Sequence, residues 1–225
     1  MSLFSTLGEK PWLTPSGITR GPVEVMAPYV AARTALNFIM AIVSVLFFLF
    51  IITFLSRSQY PDFQALAGQP WQPFTDSSRL WFNTALLVVS SVAMQAGLLA
   101  ARRQRLQGVI AGIGLATAFA ILFLLAQLQL WQQLNALGFY VGSNPANSYF
   151  YLLTAVHGLH LLGGLIALSH IALRVWLRDS AEILALPLGL CTRYWHFLLL
   201  VWLVVFALLT SEPATINALA AMCGF

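Results

Sequence analysis

Apolar residues run through this chain in five long blocks, 34–56, 80–101, about 108–131, about 149–173 and about 190–210. About 20 helical residues, rising about 1.5 Å each, cross a hydrocarbon core about 30 Å thick, so each block predicts a membrane-spanning helix. No Asp, Glu, Lys or Arg falls inside the first four, and the fifth carries Arg193 near its start. A charge at a helix centre costs about 2.5–3.5 kcal/mol on insertion, which accounts for that exclusion. The pattern predicts an all-α membrane protein with five transmembrane helices.

The polar breaks divide the chain into an N-terminal tail (1–33), a five-helix region (34–211) and a short C-terminal tail (212–225). Residues 57–79 read as a loop broken by Pro61, Pro70 and Pro73, and residues 138–148 as a turn region with Asn144–Pro145 as its strongest break. Residues 181–190, apolar but interrupted by Pro187, are expected to lie along the membrane interface. The tail after Pro213 is long enough for a short helix but not for a span. The N-terminus does not read as a cleavable signal, because Lys10, Pro11, Pro15 and Arg20 interrupt it. No internal repeat of the transporter kind is visible.

Composition agrees with lipid as the main solvent. Of 225 residues, 60% are hydrophobic and 8% charged, against about 25% charged in a soluble domain. The net charge of +4 forms no basic stripe with interleaved aromatics, so nucleic acid is not an expected partner. The basic residues instead set an orientation. Lys10, Arg20, Arg33, Arg102, Arg103, Arg105, Arg174, Arg178 and Arg193 fall on one side of a five-helix topology, and Arg57 and Arg79 on the other. The positive-inside rule then puts the N-terminus in the cytoplasm and the C-terminus in the periplasm. Tyr60, Trp81, Trp131 and Tyr149 are assigned to the outer aromatic belt, and Trp176, Tyr194 and Trp195 to the inner one. Cys191 and Cys223 form no CxxC or Cys/His motif. This topology puts them on opposite faces, so no disulfide between them is expected.

Candidate chemistry lies in the few polar residues of the apolar blocks. Thr84, Ser91 and Gln95 are seven and four residues apart and make one stripe on the second helix, with Asn83 beside it. The stripe suits interhelical hydrogen bonds, worth about 0.6 kcal/mol each in membranes, or a water or substrate path. Gly108 with Gly112, and Gly158 with Gly163 and Gly164, mark close helix packing. His157 and His160 lie roughly 60° apart around one helix. Haem ligation needs two histidines facing each other at one depth. His196, read here at the inner edge of the fifth helix, is poorly matched to His157, and His170 shares a helix with both. A proton relay usually chains histidine with carboxylates, and these helices hold none. A neutral histidine that donates from one ring nitrogen and accepts at the other is then the expected role, a tie between helices.

Four stretches, in order, carry a resemblance: WFNTALLVVSSV (81–92), FLLAQ (123–127), SYFYLLTAVHGLHLLGGLIAL (148–168) and RYWHFLLLVWLVVF (193–206). Together they resemble subunit III of the haem-copper oxidase family, in its five-helix bacterial form. The resemblance implies an accessory subunit of a respiratory terminal oxidase in the bacterial inner membrane, without catalytic residues, haem or copper of its own. Haem and copper would sit in the partner subunits I and II, and phospholipid would be bound. The complex would reduce oxygen, pump protons and support aerobic electron transport, and this chain would stabilise the catalytic subunit.

Three positions depart from the family pattern. The helix 34–56 lacks a glutamate, Gln127 is followed by Leu128 rather than a carboxylate, and Leu199 stands where an aspartate commonly follows YWHF. Roles that depend on those carboxylates are not expected here. The residues predicted to form structural polar ties are Asn83, Thr84, Ser91, Gln95, Gln127, His157, His160 and His196. Arg102, Arg103, Arg105 and Arg193 are candidate lipid head-group contacts, each worth about 1 kcal/mol near an anionic surface, or else serve topology alone. The competing readings are an accessory subunit of a quinol oxidase or nitric oxide reductase, and, from another class, a free-standing transporter or b-haem anchor.

Overall fold

The structure, a computed structural model, describes residues 22–66, 77–176 and 181–225. Lys10, Arg20, Pro70, Pro73 and Arg178, and the side chains of Arg174 and Trp176, lie outside the described residues. The chain divides into two units, Met1–Ala35 and Leu36–Phe225. In the first, the described residues are helical from Pro22. The described residues form six helices: α1 Pro22–Arg57, α2 Ser78–Arg102, α3 Leu106–Ala136, α4 Pro145–Trp176, α5 Ala181–Leu209 and α6 Pro213–Met222. The first five are long and apolar enough to cross a membrane.

Several of these helices extend past the apolar blocks that predicted them, by one or two residues at the ends of α2 and three or four at the ends of α4, because backbone hydrogen bonding continues past the last lipid-compatible side chain. The largest difference is at residues 181–190. They were expected along the interface, but they form the start of α5, which runs through Pro187. Proline at the seventh position of the helix removes a single N–H near the end where carbonyl partners first become available. Leu184 and Leu188 bury one face of this extension, and Gly189 lies against Leu98 of α2. Placing α5 correctly moves His196 to mid-helix, twelve residues after Leu184 and thirteen before Leu209. It is not at the inner membrane edge.

The helix ends follow from local chemistry. Asn144 caps α4 by accepting from the Ala146 N–H at 3.2 Å, with Pro145 at the first helical position. Its side chain also pairs with the Gln64 backbone, accepting from N at 3.2 Å and donating to O at 2.5 Å, and so binds two loops together. After α1, Arg57 pairs with Asp62, with Nη1 to Oδ1 at 2.7 Å. That hydrogen bond holds the Asp62 carboxyl below the ordinary carboxylate range. α2 ends with Arg105 N–H donating to Ala100 O at 2.9 Å and Gln104 N–H to Ala101 O at 3.0 Å. This closure needs a left-handed residue. Gln104 supplies it at φ 54°, where the matching end of α3 uses Gly138 at φ 89°.

α2 and α3 pack with their backbones almost in contact. A Cβ on Gly112 would lie 2.4 Å from Gly97 Cα, and one on Gly108 would lie 2.6 Å from Ala100 Cβ. On α4, Gly164 makes room for Tyr194 and Trp195 of α5, whereas Gly163 faces open space. The core between the helices is filled by Trp195, Trp202, Phe123, Phe150, Met94 and leucines. Outward faces carry Phe38, Ile42, Val92, Ile110, Leu159, Ile166 and Leu200, all well exposed. An apolar outer surface this extensive belongs in lipid or against another apolar surface.

Candidate functional site

The polar side chains of the apolar helices converge on a seam between α2 and α5, with branches onto α3 and α4. Its main component is one arrangement used three times. Trp202 Nε1–H donates to Thr84 Oγ1 at 3.0 Å, and the Thr84 hydroxyl donates to Leu80 O at 2.8 Å. Trp195 Nε1–H donates to Ser90 Oγ at 2.9 Å, and Ser90 donates to Ala116 O at 2.7 Å. Trp131 Nε1–H donates to Thr154 Oγ1 at 3.2 Å, and Thr154 donates to Phe150 O at 2.7 Å. In each, a hydroxyl accepts from an indole on another helix and passes its own proton to a backbone carbonyl. No donor in these relays is left facing hydrocarbon, where an unsatisfied polar group costs several kcal/mol.

Trp195 and Trp131 were assigned to the aromatic belts, and the structure revises both. Trp195 is 2% exposed and locked in the bundle, and Trp131 is half-buried on Thr154. Tyr194, also assigned to the belt, is half-buried and donates to His160 O at 3.3 Å. A signal for the relays was available. An indole N–H inside an apolar block needs an acceptor, and hydroxyls were the main ones within these blocks.

The predicted tie residues separate into several environments. Asn83 Nδ2 donates to Gln127 Oε1 at 3.0 Å, joining α2 to α3. Gln127 Nε2 is buried and has no partner among the described residues. Ser91 Oγ and His196 Nδ1 are 2.6 Å apart, and His196 Nε2 lies 3.2 Å from Gln95 Oε1. The neutral Nε2–H tautomer satisfies both contacts and joins α5 to α2 through two side chains.

The HGLH pair does not act as one unit. His160 is half-buried, with Nδ1 2.7 Å from Val156 O of its own helix, and its ring lies 5.9 Å from that of Phe47 on α1. That bond is intrahelical and ties no helix to another. His157 is fully buried against Trp202, with ring centroids 5.1 Å apart, and Phe123, at 5.9 Å. Neither of its ring nitrogens has a hydrogen-bond partner among the described residues. The two-ended tie expected there is therefore not formed. The aromatic walls offer no lone pair, and the one nearby indole N–H is already given to Thr84.

Arg102, Arg103 and Arg105 cluster at the exposed α2–α3 turn. Arg193, also exposed, lies instead within the apolar span of α5, nine residues after Leu184. His170 is exposed towards the end of α4. Among the described residues no group of three or more His, Cys, Asp or Glu is assembled as a metal donor set. The seam can therefore hold helices in register and present polar groups to a neighbour.

The comparisons with known proteins agree with this picture. The family model for cytochrome c oxidase subunit III matches residues 26–210. A probable cytochrome c oxidase subunit 3 of Mycobacterium tuberculosis is 30% identical over 153 residues, 67% of this chain and 75% of the relative. One from Nocardia farcinica is 30% identical over 162 residues, 71% and 76% of the two chains. A cytochrome bo(3) ubiquinol oxidase subunit 3 of Pseudomonas aeruginosa is 28% identical over 124 residues, 55% and 59%. The matched residues take in all five apolar spans and every indole relay, and the chain belongs to the cytochrome c oxidase subunit III family.

Proposed function

We propose that this chain is the accessory subunit III of a respiratory haem-copper terminal oxidase of the cytochrome c type. The family match across residues 26–210 carries the reading. Within such a complex the haem and copper chemistry belongs to the neighbouring subunits I and II. This chain contributes a rigid bundle, held by three indole–hydroxyl–carbonyl relays, that stabilises the catalytic subunit during electron transport and proton pumping. Cytochrome c is favoured over quinol as electron donor because the relatives named for it match more of the chain.

The finer placement follows from charge. With Arg193 inside α5, eight basic residues on one side against two on the other favour a cytoplasmic N-terminus and a periplasmic C-terminus in a bacterial inner membrane. Arg102, Arg103 and Arg105 at the α2–α3 turn would then meet anionic lipid head groups on the cytoplasmic side.

The test is purification of the native complex through a tag on this chain. A haem-bearing subunit should co-purify, and the complex should consume oxygen with reduced cytochrome c. If no haem-bearing subunit comes with the chain, the accessory reading fails. A complex that oxidises quinol and not cytochrome c replaces the donor and keeps the rest.

A further inference from the structure

The outward face of the α2–α5 pair carries polar groups within the apolar spans of both helices. On α5, Arg193, His196, Leu200 and Leu203 are exposed at spacings of three, four and three, which is one side of a helix. On α2, Val88, Val92 and Leu99 are exposed and Gln95 half-buried at spacings of four, three and four. At about 1.5 Å per residue, His196 is about 18 Å along the apolar span from Leu184 and Arg193 about 13 Å. In a core about 30 Å thick centred on that 26-residue span, His196 lies near the middle and Arg193 nearer one edge.

The hydrogen-bond inventory of this face is one-sided. Both nitrogens of His196 are taken by Ser91 and Gln95. Gln95 uses its oxygen in that contact. Its Nε2 and the whole Arg193 guanidinium make no hydrogen bond or ion pair among the described residues. What remains is two amide and five guanidinium donors against one lone pair on the Gln95 oxygen. Elsewhere on the outward faces some polar side chains are closed internally, whereas Asn37, Gln129 and His170 are exposed with no hydrogen bond among the described residues. Ser44, Thr53 and Ser169 each donate to a carbonyl of their own helix. The side chains flanking the donors are short: Ala85, Val88, Val89, Val92 and Ala96 are all exposed. Small residues let a second helix approach closely in a membrane.

We propose that this face docks a transmembrane helix of a neighbouring oxidase subunit that presents oxygen acceptors, a carboxylate or side-chain amide, to Arg193 and Gln95. The inference rests on the accessory-subunit reading and adds the surface and the chemistry of the contact. A lipid head group within reach of the long Arg193 side chain would leave the shorter Gln95 unanswered. A second copy of this chain would set donors against donors.

The experiment uses the intact complex with a photoreactive phenylalanine analogue at Val92 or Leu200, and at Ile42 on α1 as control. The Val92 and Leu200 probes should each form a product with one partner subunit, and its crosslinked peptide should lie in a transmembrane helix containing Asp, Glu, Asn or Gln. Adducts with lipid alone, a product with a second copy of this chain, or equal partner capture from Ile42 would overturn the proposal. Arg193→Leu gives a second readout, with loss of this subunit from the complex in detergent expected to quicken about ten-fold. Arg193→Lys should restore part of the retention. If Arg193→Leu accumulates normally and is retained like the native chain, the proposal fails. Because these measurements are made on a complex that already co-purifies, their failure leaves the accessory reading standing.

Discussion

His157 and His196 are both histidines in the middle of apolar helices, and their environments are opposite. His157 is sealed between Trp202 and Phe123 with no hydrogen bond from either ring nitrogen among the described residues. His196 is exposed on the outer surface with both nitrogens bonded. Burial alone would have assigned the bonds the other way round, since buried polar groups are usually paired. The difference lies in which acceptors the helix register brings close. α5 runs antiparallel to α2, so His196 meets the Ser91 and Gln95 stripe, whereas His157 on α4 meets an aromatic wall.

The strongest way to break this contrast is to remove the wall. Trp202 both seals His157 and donates to Thr84, so Trp202→Ala empties a large core volume. A loss of about 3–5 kcal/mol is expected for such a truncation. It is read as a lower denaturing midpoint when the chain in mild detergent is titrated with dodecyl sulfate. A change under about 1 kcal/mol would mean that the bundle does not depend on this packing.

Next in size is the neighbouring relay. Ser90→Ala leaves the Trp195 indole N–H buried without an acceptor, an omission worth about 1–3 kcal/mol. Ser90→Thr keeps the hydroxyl and should recover most of the loss if the added methyl is accommodated. Thermal unfolding of the two variants side by side separates the lost hydrogen bond from a general packing effect. A smaller change belongs to His196→Leu, where two contacts at about 0.6 kcal/mol each give about 1 kcal/mol. The isolated chain should therefore be little affected, and the larger consequence should appear in retention within the complex.

These sites also mark how far the sequence could be read. The five spans were legible because bilayer thickness and charge exclusion act on composition, which needs no partner information. Their ends were less so. Pro187 looked like a boundary, yet the helix absorbs it within its first two turns, and this alone misplaced His196 in depth. The Gly108 and Gly112 spacing was legible as close packing, but not that Gly97 was the residue opposite Gly112. The relays were hidden for a related reason. Trp131, Trp195 and Trp202 are visible in the sequence as indoles needing acceptors. Which hydroxyl each finds depends on the register between helices, and the belt rule took two of them for interfacial anchors. Gln104 at positive φ had no local signal, since glycine is the usual residue at that position.

The smallest expected effect sharpens the contrast most. His157→Phe swaps an imidazole that makes no hydrogen bond among the described residues for an apolar ring of similar shape. A tie would lose bonds and leave its partners unpaired, at about 1–3 kcal/mol. A ring held only by packing against Trp202 and Phe123 should change by less than about 1 kcal/mol, because it removes the cost of a buried, unpaired polar group while adding slight crowding. Gln127 Nε2 is also buried without a partner among the described residues. Measured in the Gln127→Leu background, His157→Phe should have the same effect as in the native chain, and a coupling between the two would show that His157 is tied after all. Additive effects of the two substitutions would leave His157 as an aromatic packing residue that happens to be a histidine.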